Sequence, residues 1–155
     1  MQLKVRGKGA LTRNQIKTAI PYMMKLMNSH RILDNSEILV KFEHLDCHAT
    51  CYMHEPGEFE ISLSNKLNSK KCLFALAHEL VHVKQFARKE LEMGMYQAKF
   101  KSVVYDLSKI HYYDLPFEIE AHGREEGLVS RYCQYVRSQQ KTSSKVAKKT
   151  RTKSI

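Results

Sequence analysis

His78-Glu79-Leu80-Val81-His82 decides how the rest of this chain is read. Placed on a helix, the stretch puts two imidazoles four residues apart on one face, where they can hold a zinc ion. The glutamate between them can then act on a metal-bound water. The pattern is short and the chain has eight histidines in 155 residues, so the flanking sequence has to support it.

Working outward, Ser69 is the expected N-cap of a helix that carries Cys72, Leu73, Leu76, Ala77, Leu80 and Val83 on its apolar side. His78 and His82 border that stripe. Gly94 is expected to end or interrupt the helix, and Met95 to Leu107 reads as helical again, with Phe100, Val103, Val104 and Leu107 in register. Asp114-Leu115-Pro116 restarts the chain as a helix with proline in its first turn. That helix carries Glu118, Ala121, His122 and Glu125, then Leu128, Val129, Tyr132 and Val136.

Upstream, Leu3 and Val5 allow a short strand. Thr12 to Gln15 forms a capping box for a helix with Ile16, Ala19, Ile20, Met23 and Met27 inward, which Pro21 should bend or divide. Ile38, Val40 and Phe42 alternate with polar neighbours, as a strand requires. Two further extended segments, Ala49 to His54 and Glu58 to Leu63, flank the Pro56-Gly57 turn signal. The expected fold class is α+β: a small antiparallel sheet packed against the His78–His82 helix and a second helix carrying a third ligand.

Hydrophobic content of 43% with 27% charged residues is ordinary for a globular chain, and residues 1–136 suffice for one domain. Seven of the net ten positive charges lie on Arg137, Lys141, Lys145, Lys148, Lys149, Arg151 and Lys153, and no acid follows Glu126. Residues 137–155 therefore read as a basic, disordered tail, either simply solvated or making a weak, salt-dependent nucleic-acid contact through Arg137–Lys153. Lys4, Arg6 and Lys8 precede no apolar run, so neither a signal peptide nor a membrane span is visible and the default setting is cytoplasmic. Cys47, Cys51, Cys72 and Cys133 are too scattered for a disulfide scaffold and are expected as thiols, Cys72 and Cys133 as small core residues. His44, Cys47, His48, Cys51 and His54 hold good ligand types, but alternation along strands would scatter them, and a second metal is not expected.

A catalytic zinc site usually takes three protein ligands and keeps one open position. Pro116-Phe117-Glu118-Ile119-Glu120-Ala121-His122 offers the third donor: Glu118 shares a face with His122, and Glu120 is turned away by about 200° and is the rival. The helix dipole by itself also favours a glutamate in a first turn.

The pairing of His-Glu-Leu-Val-His with this downstream segment resembles the gluzincin clan of zinc metallopeptidases, including the ImmA/IrrE-like peptidases with their Glu-x-Glu-Ala-Asn/Asp segment. That resemblance implies a zincin-like fold, zinc held by His78, His82 and Glu118, and Glu79 as the general base for peptide-bond hydrolysis in a protein or peptide substrate. It also puts His122 where the clan usually has Asp or Asn, as a partner of a ligand histidine or as a fourth ligand closing the site. The strand Glu58 to Leu63 is expected to edge the sheet and pair with the substrate, and Tyr112, Tyr113 or His111 to donate to the oxyanion. Two alternatives follow from the same residues. One is a non-catalytic, zinc-stabilised binding protein; the other is a protease similar to SprT-like proteins, recruited to DNA by the tail, with His111 or His122 as third ligand.

Overall fold

The computed structural model describes residues 1–151, with side chains through 142. In order, the chain forms β1 (Gln2–Arg6), α1 (Arg13–Leu26), a 3-10 turn (His30–Asn35), β2 (Glu37–Glu43), β3 (Ala49–Glu55) and β4 (Glu58–Ser64). It continues with α2 (Ser69–Ala87), β5 (Leu91–Met93), β6 (Gln97–Phe100), β7 (Val103–Asp106), a second 3-10 turn (Tyr112–Asp114) and α3 (Pro116–Arg151). The architecture is α+β.

The larger sheet runs β1-β2-β4-β3 and is mixed rather than antiparallel. Only the β3–β4 hairpin, turned at Gly57 with φ 90°, is antiparallel. β1 and β2 pair in parallel, as do β2 and β4. A parallel pair needs a long crossover, and α1 supplies it between β1 and β2. The expectation that Glu58–Leu63 lies at the edge is also corrected: β4 is interior, and β3 is the edge strand on its side, with β1 at the opposite edge. Burial gives the reason, since β4 hides Phe59, Ile61 and Leu63 together with Ser62 and Ser64, while β3 has no fully buried residue.

Met95 to Leu107 is not helical. Phe100 and Val103 fit a helical register, but Ala98 and Phe100 also alternate with exposed Gln97 and Lys99, and the alternating period wins. Lys101 and Ser102 take φ of 48° and 72°, so two residues close the β6–β7 hairpin with the twist that strands prefer. The β5-β6-β7 sheet covers its own small core of Leu91, Ala98, Phe100, Leu115 and Phe117. Gly94 belongs to the β5–β6 turn, where its N–H donates to Gln97 O, and α2 has already ended at Ala87.

The helices are capped by specific side chains. Thr12 and Gln15 exchange the expected capping-box bonds, and α1 continues unbroken through Pro21. At α2 the cap is Asn68, not Ser69: Asn68 Oδ1 accepts from Lys71 N–H at 2.9 Å, and Ser69 Oγ donates to Ala10 O. α3 is helical through Arg151, across a stretch expected to be disordered; residues 152–155, and the side chains from 143 on, lie outside the described residues.

The main core joins the inner faces of α1, β2 and β4 to α2, and closes on Ala121, Leu128, Val129 and Tyr132 of α3. α2 is therefore buried on nearly all sides between the sheet and α3. Leu80→Ala should destabilise the protein by about 2–5 kcal/mol, because Leu80 is 0% exposed, whereas Ile119→Ala, 55% exposed, should change stability by less than about 0.5 kcal/mol. Urea unfolding of the two variants checks this ordering.

Candidate metal centre

Four residues apart on α2, His78 and His82 turn their rings toward the first turn of α3. Leu115 N-terminal to that turn and Phe117 within it are anchored under the β5-β6-β7 sheet, which fixes where Glu118 points. His78 Nε2 lies 3.1 Å from His82 Nε2 and 3.1 Å from Glu118 Oε2, and His82 Nε2 lies 3.4 Å from the same oxygen. A tetrahedral zinc with bonds of about 2.0–2.1 Å places its ligand atoms about 3.3 Å apart. The donor set therefore fits zinc in both chemistry and spacing.

The outer hydrogen bonds fix the tautomers. His78 Nδ1 is 2.7 Å from Glu125 Oε1, and His82 Nδ1 is 2.8 Å from Gln85 Oε1. Both partners accept, so each Nδ1 carries a hydrogen, and each Nε2 is the atom left to take a metal ion or a second proton. The Gln85 amide cannot flip, because its Nε2 donates to Phe117 O at 3.1 Å and to Glu120 Oε2 at 3.3 Å. Two imidazole Nε2 atoms and a carboxylate oxygen thus converge. Such a convergence is favourable only with positive charge among the three, supplied by a metal ion or by a proton on an imidazole.

Charge distribution follows the same geometry. Burial works against ionised Glu118, yet hydrogen bonds from His78, His82 and Tyr112 hold its carboxyl well below the usual range. Burial likewise opposes a charged His78, but Glu118, Glu79 and Glu125 push it up to about 9. Glu79 is different. Burial raises its carboxyl to about 7 against the pull of His82 and His78, and it does not belong to the donor set.

Glu120, the rival third ligand, faces away from the triad. Its carboxylate lies 2.6 Å from the buried Lys84 ammonium and 3.0 Å from Arg124 Nε. Burial opposes its ionisation, but Lys84, Gln85 and Lys101 hold its pKa at about 2. His122 does not join that triad: its Nδ1 lies 2.7 Å from Glu125 Oε1, its ring packs on His78 at 4.5 Å between centroids, and with His78 and Glu125 it forms a second, more exposed group that could hold a metal. Among the described residues no fourth His, Cys, Asp or Glu joins His78, His82 and Glu118. His111 is outside this group, stacked on Tyr113. His44, Cys47, His48, Cys51 and His54 contribute to no ligand cluster among the described residues, and the four cysteines are free, with Cys72 buried and Cys133 half-buried.

Two cavities meet at Glu79 and Tyr112. One, of about 800 Å³, runs past His78, His122 and Phe74; the other, of about 220 Å³, runs past His82, Glu118 and Phe117. Ala49 of β3 lines both, and Thr50, Cys51 and Tyr52 line the second, so the free edge of β3 forms one wall of a continuous cleft. Tyr112 lines both cavities and its phenol lies against Glu118, whereas Tyr113 lines only the first and His111 neither.

Sequence spacing alone gives Gln85 and Glu125 no functional role. Their positions, three residues after His82 and seven after Glu118, are helix-face spacings that mark them once the facing helices are known. No family model, curated protein or solved structure matches this chain. Among the described residues no helix is long and apolar enough to cross a membrane.

Removing either outer acceptor frees a ring to rotate and to change tautomer. Gln85→Ala and Glu125→Ala should each weaken zinc binding about 10- to 100-fold in a chelator competition assay, with circular dichroism of the folded protein retained.

Proposed function

We propose that this protein is a zincin-like, zinc-dependent metallopeptidase that hydrolyses peptide bonds in a protein or peptide substrate. The observation that carries the reading is the pair of features at one place: His78, His82 and Glu118 bring three potential ligand atoms together, and the buried Glu79 lines the cleft without belonging to that group. His78, His82 and Glu118 hold the ion. When bound, zinc supplies a Lewis acid that lowers the pKa of a water toward neutrality and polarises a carbonyl.

The chain's own residues supply the remaining steps. Glu79 takes a proton from the attacking water and delivers it to the leaving nitrogen. Tyr112 is the donor best placed for the developing oxyanion, since it stands beside Glu79 where the two cavities join. An extended substrate gains backbone hydrogen bonds by adding to the free edge of β3. Glu125 and Gln85 keep both imidazole Nδ1 atoms protonated, so neither ring presents the wrong nitrogen. A reducing cytoplasmic setting agrees with four free thiols.

Glu79→Gln keeps the shape of the side chain and removes its basicity. The variant should bind zinc as the parent does and lose peptide cleavage by a factor of about 100 to 10,000, measured by mass spectrometry of a digested protein mixture. Undiminished cleavage by the variant would remove Glu79 from the mechanism.

A further inference from the structure

The larger cavity changes character with distance from Glu79. Ala75 precedes Glu79 by one turn of α2, about 6 Å along the axis, and with Phe74 forms an apolar floor. Lys71 and Lys70 line the same cavity about 12–13 Å from Glu79. Both lysines are exposed and neither makes an ion pair among the described residues. The two acids that line the cavity, Glu79 and Glu125, are at its inner end, and Glu125 is shared between His78 and His122. Cys47, His48, Tyr113 and His122 are further titratable side chains on its lining, none of them a carboxylic acid. The outer reach is therefore an apolar trough ending in uncompensated positive charge.

An extended peptide advances about 3.3 Å per residue. A chain lying beside β3, with its reacting carbonyl at Glu79, brings a side chain about two residues away onto Phe74 and Ala75. It brings one about four residues away to Lys70 and Lys71. We propose that this cavity is a specificity subsite that selects substrates with an apolar side chain about two residues, and an acidic side chain about four residues, from the scissile bond on the α2 N-terminal side. The inference rests on the peptidase reading and adds the substrate class to it.

The test has two arms. In the first, the zinc-loaded protein digests a randomised peptide library and the cut sites are read by mass spectrometry. Asp and Glu should be enriched three to five residues from the cut on one side, and a Lys70→Glu/Lys71→Glu double variant should turn that enrichment into one for Lys and Arg. Absence of acidic enrichment, or enrichment unchanged in the double variant, overturns the subsite. In the second arm, zinc-loaded Glu79→Gln is titrated by fluorescence anisotropy with two peptides that differ only in a block of Glu or Lys beside an apolar residue. The Glu peptide should bind about three- to ten-fold tighter at low salt, and lose that advantage in the Lys70→Glu/Lys71→Glu background. Equal binding of the two peptides overturns the subsite. Binding preference without any cleavage by the parent protein leaves the subsite standing and overturns the peptidase reading alone.

Discussion

Two imidazole nitrogens and a carboxylate oxygen meet where α2 crosses the start of α3, and much of the surrounding structure serves to keep them there. His78 Nε2, His82 Nε2 and Glu118 Oε2 lie within 3.4 Å of one another. Brought out of water without a cation, such a group costs free energy, so it persists only if neighbouring packing leaves the side chains no alternative. α2 provides the rigid half, locked on one side by the sheet and on the other by Ala121, Leu128 and Val129. The β5-β6-β7 sheet provides the other half by gripping Leu115 and Phe117, the residues on either side of the turn that delivers Glu118.

Gln85 links these two halves. Its amide joins His82 to the Phe117 carbonyl and to Glu120, and Glu120 in turn neutralises the buried Lys84. One side chain thus reports the position of α3 to a ring on α2. Glu125 performs the equivalent task for His78 from one further stretch of α3, and shares its oxygen with His122. His122 thereby packs beside the triad, with one Glu125 oxygen shared between it and His78.

How much of this was legible in the sequence depends on how local the signal is. His78, Glu79, His82 and Glu118 stand out because helical spacing puts each motif on one face, and Glu118 separates from Glu120 by the same rule. Gln85 and Glu125 become meaningful only when the α2–α3 contact is known. Strand order is equally non-local: the β3–β4 hairpin is announced by its Pro56-Gly57 turn, whereas the parallel pairing of β2 with β4, which makes β4 interior, leaves no turn signal. A weaker clue existed, since Ser62 and Ser64 are small enough to be buried beside Phe59, Ile61 and Leu63 in an interior strand. The β6–β7 hairpin was hidden because Lys101 and Ser102 adopt a left-handed turn for which sequence preference favours Asn-Gly.

X-ray absorption at the zinc edge of the purified protein tests the central claim most directly. The account predicts one zinc per chain in a shell of nitrogen and oxygen only, with two imidazoles, one carboxylate and one exchangeable water. Sulfur in the first shell, a third imidazole closing it, or no zinc retained at stoichiometric loading would contradict it.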